Sequence, residues 1–121
     1  MNTLQPRSFT TPGMSMAVLA GQNRRFRGTG GVSRENRSLG FSPAFRDSCT
    51  GGVYLSRFAN GTIAPVHLLD RLPDELVLSR NASGRVLKAR CSVVAGFVRE
   101  GRFYTREEAS RAIAELEASG P

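Results

Sequence analysis

The chain has 121 residues, room for one domain, and a formal net charge of +7. Its hydrophobic fraction of 40% is a little low for a chain that is core from end to end. No apolar run approaches the ~18 residues of a membrane span, and no membrane partner is expected.

The charge is unevenly placed. Residues 1–46 hold seven arginines against one acid, Glu35, for +6, while residues 47–121 carry +1. Such asymmetry suggests an anionic partner such as nucleic acid or a membrane surface. The plainer alternative is a solubilising tail in an arginine-rich proteome, since Lys88 is the only lysine. Cys49 and Cys91 could pair, but one pair does not make a disulfide scaffold, and free thiols are the default reading.

Residues 1–13 are polar, with Pro6 and Pro12 and no periodicity. Met14–Ala20 is a short apolar patch, too brief and too weakly flanked for a secretion signal, and Met14 or Met16 could be the translation start. Gly21–Gly40 is rich in Gly, Arg, Ser and Asn, with few large apolar side chains to offset its ordering entropy. Residues 1–40 therefore read as a disordered basic arm, ahead of a domain over 41–121. Within the arm, Arg24, Arg25 and Arg27 surround Phe26, with Arg34 and Arg37 beyond. Such a segment tracks phosphates while its ring stacks on a base, or else it pairs with an acidic protein face.

Phe41–Phe45, with Pro43 between two aromatics, reads as the docking edge of the domain, and Arg46–Gly52 as a loop. Val53–Phe58 alternates like a strand and leads into Asn60-Gly61, the strongest short hairpin signal. Pro65 makes Ile63–His67 an edge or irregular return. Leu68–Leu76 reads as a loop or a short helical turn begun at Asp74. Leu76–Ser79 and Arg85–Ala89 form a second hairpin across Asn81–Gly84. Cys91–Val98 is a β-branched run that feeds a turn at Arg99-Glu100-Gly101 and a short strand at Phe103-Tyr104. A helix then starts at Thr105, whose hydroxyl and Glu108 make a capping box. Ala109, Ala112, Ile113 and Leu116 give it one narrow apolar stripe. The fold class is α+β: a small sheet of short antiparallel strands and hairpins with one C-terminal helix.

Chemistry-bearing constellations are sparse. His67 is the only histidine, and with Cys49 and Asp70 it would make a nucleophile set that nothing in the spacing demands. The plainer reading is a packed ring with a backbone hydrogen bond. Asp47–Gly52 has the residues of an anion nest but lacks the lysine of a phosphate loop, and reads as a turn. We expect no enzyme, no catalytic residue, no cofactor and no metal. Tyr54, Phe58, Phe97, Phe103 and Tyr104 fall on strands, with Arg57, Arg99 and Arg102 nearby. They are either a face for single-stranded nucleic acid or a protein partner, or simply the core.

At Phe45–Leu76 (FRDSCTGGVYLSRFANGTIAPVHLLDRLPDEL) and Ala95–Ala109 (AGFVREGRFYTREEA), the chain resembles a family of small proteins of proteobacterial integrative elements and prophages. The resemblance spans most of residues 45–115 and transfers no activity, fold or catalytic residue. It implies a bacterial cytoplasm and a mobile-element setting. Small proteins without catalytic motifs in that setting are often nucleic-acid accessory factors or inhibitors of host defence, anti-CRISPR proteins among them. The function expected is a small non-enzymatic binding protein that engages DNA, RNA or a nucleoprotein complex through its arginines. The alternative is a protein–protein inhibitor of a host defence complex.

Overall fold

Two central strands organise the chain, β1 (Ser42–Asp47) and β5 (Val93–Arg99). In a computed structural model that describes residues 13–118, they pair antiparallel with Phe45 opposite Ala95 and Pro43 opposite Phe97. The short β2 (Val53–Leu55) adds to β1, and β6 (Arg102–Thr105) adds to β5, giving the order β2-β1-β5-β6. β5 and β6 join through Glu100 and Gly101, both at positive φ (52° and 79°). That is the backbone a two-residue hairpin selects. A second sheet is the hairpin of β3 (Val77–Arg80) and β4 (Val86–Ala89). Its turn is fixed by the Asn81 side-chain oxygen, which accepts from Ser83 N and Arg85 N.

The α+β class and the antiparallel hairpins match the sequence reading, and so does α3 (Arg106–Ala118). Its capping box is formed on both sides: Glu108 N donates to Thr105 Oγ1 at 3.1 Å and Thr105 N to Glu108 Oε1 at 2.9 Å. The apolar stripe stops earlier than its periodicity suggests. Ala109 and Ile113 are buried, whereas Leu116 is 42% exposed.

One sheet face carries Phe45, Ala95 and Val93, which pack with Met14, Leu19, Leu69, Leu72, Leu76, Val86 and Ala89. Further along that face, Phe97 packs with Phe41, Ala109 and Ile113. The His67 ring lies between the two groups, with its centroid 5.3 Å from Phe45 and 5.2 Å from Phe97. The opposite face, with Leu55, Val94, Val98 and Phe103, is half-buried.

Three expectations are corrected. Phe41–Phe45 is no docking edge, because β1 lies inside the sheet with Phe41 and Phe45 buried. Pro43 is tolerated there because Ser56 N bonds its carbonyl at 2.9 Å, so its missing N–H points toward the end of β2, where the ladder has stopped. The strand expected over Val53–Phe58 ends at Leu55, and only one bridge, Arg57 to Ile63, continues it.

The third correction concerns the arm. Residues 1–12 lie outside the described residues, but 13–40 are ordered against the domain. Met14 exchanges backbone hydrogen bonds with Ala89. α1 (Met16–Phe26) is capped by the Ser15 hydroxyl, which accepts from Val18 N at 3.2 Å. α1 buries Leu19 and Phe26, and α2 (Ser33–Asn36) buries Ser33 and Asn36. Two large side chains seven residues apart suffice to seat α1 because polar contacts from α3 add to them.

Candidate functional site

α1 ends at Arg27, where ψ swings to 133°. Asn23 and Arg27 are four residues apart and share one face of the helix end. The chain then turns through Gly28–Gly31. Glu35, the one acid of the first 46 residues, reaches back to accept from Gly28 N at 2.8 Å and Gly30 N at 3.0 Å. Its carboxylate is thus committed to the backbone of the turn. Arg34, in α2, and Arg37, opening the following 3-10 turn, are three apart and project together.

Arg27, Arg34 and Arg37 line a hollow of about 290 Å³ with Asn23, Val32, Ser33, Val66 and His67. The three arginines are exposed, and among the described residues none has a carboxylate within ion-pair distance. Uncompensated arginines lining one concavity make it attractive to an anion, since a guanidinium is a planar fork suited to phosphate.

The floor of the hollow is built differently. His67 is 4% exposed and uses both ring nitrogens. Nε2 lies 2.7 Å from Gly96 O, so it carries the proton and donates. Nδ1 then accepts from Arg106 Nη2 at 3.4 Å. Burial, and after it the positive charge of Arg106, pull the imidazole pKa down to about 4, so His67 is neutral near pH 7.

Arg106 opens α3 yet is 2% exposed. It donates to Gly31 O at 2.8 Å and Gln22 Oε1 at 3.2 Å, and lies over the Phe97 ring at 5.8 Å. Burial lowers its pKa to about 10, with Glu107 opposing, which leaves it charged at neutral pH. Among the described residues its guanidinium has no carboxylate in ion-pair contact. Arg106 therefore ties α1 and the Gly31 turn to the sheet, and it sets a buried positive charge behind the hollow's floor.

The other arginines singled out in the sequence are placed apart. Arg24 is exposed on α1. Arg25 lies over the Phe26 ring and 3.9 Å from Glu107. Arg57 Nη1 donates to Gly61 O at 2.8 Å, bracing the Asn60-Gly61 turn. Arg99 donates to Leu39 O at 2.9 Å and covers the Phe41 ring, and Arg102 covers Tyr104. The stacking role expected of Phe26 is corrected, because its ring is 9% exposed and packs as core. Phe97 is fully buried, Tyr54, Phe103 and Tyr104 are half-buried, and only Phe58 of that aromatic set is 41% exposed.

The nucleophile set is not assembled. Neither nitrogen of His67 faces Cys49 or Asp70, and Asp70 accepts from Arg85 Nε and Val86 N. Cys49 and Cys91 are free and exposed. Asp47 accepts from Cys49 N and Thr50 Oγ1, so the Asp47–Gly52 loop is closed by its own carboxylate. The Cys49 amide, more than any other group, holds that carboxyl below its ordinary pKa. Among the described residues no three His, Cys, Asp or Glu side chains are grouped to hold a metal ion, and no helix is long and apolar enough to cross a membrane.

Arg27, Arg34 and Arg37 were legible in the sequence as charge, but their partners were not. Asn23, Ser33 and Val66 carry no motif, and Arg106 was hidden inside a capping-box pattern that reads as surface. The approach of His67 to Arg106 joins residues 39 positions apart, which no local signal reports. Comparison of the chain with known proteins matches no family model, no curated protein and no solved structure.

Proposed function

We propose that the protein is a small non-enzymatic binding protein that engages nucleic acid through the basic surface formed by α1, α2 and the turn between them. The observation that carries this reading is the convergence of Arg27, Arg34 and Arg37 on one hollow with no carboxylate against them among the described residues. Arg24 extends the same charge along the exposed side of α1. Phosphate contacts from such a surface supply affinity without sequence preference. The setting, a mobile element in a bacterial cytoplasm, rests on the sequence resemblance alone.

The test is fluorescence anisotropy of the full chain with duplex DNA, single-stranded DNA and single-stranded RNA across salt. Four arginines on phosphate give a log–log salt slope of about −4 on duplex DNA. Arg27→Glu, Arg34→Glu and Arg37→Glu combined should abolish binding while leaving the unfolding midpoint in place, because these side chains are exposed. Deleting the first forty residues is not a clean test, since Met14, Leu19, Phe26 and Val32 are core. Absence of binding to all three probes at low salt would overturn the reading.

A second reading has its own observation. Phe58, Ile63 and Val66 are each more than 40% exposed around the Asn60-Gly61 turn. Exposed apolar side chains grouped on one loop suit a protein partner, such as a subunit of a host defence complex. Phe58→Ser with Ile63→Ser would abolish capture of such a partner and spare binding to free nucleic acid.

A further inference from the structure

The hollow is shaped for more than a passing phosphodiester. Three arginines, one from the end of α1 and two from α2 and the 3-10 turn after it, line a space of about 290 Å³, close to the lower limit of small-molecule sites. The neutral ring of His67, hydrogen-bonded through both nitrogens and only 4% exposed, is part of the lining. Arg106 Nη2 lies 3.4 Å from that ring and is buried with no carboxylate in contact among the described residues, so it sets a poorly screened positive charge close to the hollow. Asn23 and the largely buried Ser33 add polar lining, and Val66, 46% exposed, next to the largely buried Val32, offers the apolar surface on which a sugar or base would rest.

This arrangement matches a phosphate monoester better than a diester. A monoester carries about −1.5 to −2 charges near pH 7 and three terminal oxygens. An internal diester carries one charge and two free oxygens, so it leaves more of the charge of three arginines uncompensated. We infer that the hollow binds the phosphorylated end of a nucleic-acid strand, with the monoester on Arg27, Arg34 and Arg37 and the terminal nucleoside against Val32 and Val66. The inference rests on reading the hollow as the anion site of a nucleic-acid-binding protein.

The experiment compares the full chain's affinity for one single-stranded oligonucleotide carrying a 5′-phosphate, a 3′-phosphate or hydroxyls at both ends, with adenosine monophosphate and adenosine as competitors. At near-physiological salt, one phosphorylated form should bind at least about tenfold more tightly than the hydroxyl form, as expected for added charge-assisted contacts. Adenosine monophosphate should compete and adenosine should not. Arg34→Gln and Arg37→Gln should erase the preference, whereas Arg24→Gln, outside the hollow, should weaken all forms alike. Equal, salt-dependent affinity for all three oligonucleotides would overturn this inference and leave the nucleic-acid reading standing. Failure of every oligonucleotide to bind would overturn both. Binding of adenosine monophosphate with no oligonucleotide bound would assign the hollow to a free nucleotide instead, and so overturn the strand-end assignment.

Discussion

The Arg106 guanidinium stands 3.4 Å from Nδ1 of His67, and both side chains are buried. The contact fixes the histidine in its Nε2–H form, since a proton on Nδ1 would face a cation. It also makes the stability of the fold sensitive to acid. In the unfolded chain the imidazole titrates at about 6.5, and in the fold at about 4. Above 6.5 neither state carries the proton, so the full stability is present. As pH falls from 6.5 toward 4 the unfolded state takes up a proton that the native state refuses, and stability is lost through that window. The loss is on the order of 3 kcal/mol. Urea unfolding followed at intervals from pH 7 to pH 4 should show the midpoint falling, and His67→Leu should flatten much of that dependence.

The same pair predicts the outcome of changing Arg106. Arg106→Met removes the donors to Gly31 O and Gln22 Oε1 together with the charge beside His67. Leaving the buried Gly31 carbonyl and the part-buried Gln22 oxygen without their donor should cost about 3 kcal/mol. The loss should also be regional, with amide exchange accelerating over residues 16–36 before it does in β1 and β5. In that variant the His67 pKa should rise above 4 yet stay below 6.5, because burial remains the larger cause. Nuclear magnetic resonance titration of the single histidine reads this directly.

Sequence patterns revealed those parts of the fold whose causes are local. The box between Thr105 and Glu108, the positive-φ turn at Glu100-Gly101 and the Asn81 turn each follow from residues a few positions apart. What stayed hidden depends on distance. α1 has only Leu19 and Phe26 on its buried side, so its composition reads as disorder until the contacts of Arg106 with Gln22 and Gly31 are counted. β1 was obscured by Pro43, whose missing donor matters only if a neighbour needs it. The hollow was half visible: charge marks Arg27, Arg34 and Arg37, but the concavity needs Val66 and His67, about thirty or more positions away in sequence, beside them.

The capping box supplies a stability prediction of ordinary size. Thr105→Ala leaves Glu108 N without its side-chain acceptor. It should cost about 1 kcal/mol with no change in denaturant slope. Thr105→Ser should restore most of it, and denaturant unfolding of both variants checks this.

The Gly28–Gly31 turn offers an internally controlled comparison. Gly28 and Gly30 both sit at positive φ, 83° and 87°. A Cβ at Gly28 would meet nothing within 4 Å, while one at Gly30 would lie 2.8 Å from Ile113 Cδ1. Gly28→Ala should therefore cost only the left-handed strain, about 1 kcal/mol. Gly30→Ala adds overpacking against α3 and should cost about 2–4 kcal/mol. If thermal unfolding gave the two variants equal losses, the turn would not be seated on Ile113.

Arg25 and Arg34 separate charge from site. Arg25 is paired with Glu107 at 3.9 Å, with the two side chains 72% and 55% exposed, so Arg25→Ala should change stability by less than about 0.5 kcal/mol. Arg34 has no such partner among the described residues, and Arg34→Ala should leave stability equally unmoved. Their binding effects should diverge. Arg34 lines the hollow, so its loss should weaken nucleic-acid binding and lower the salt slope by about 1. Arg25 faces α3, where Glu107 already offsets its charge, so its loss should do much less. The reverse ranking in anisotropy titrations would move the interface from the hollow to the junction of α1 with α3.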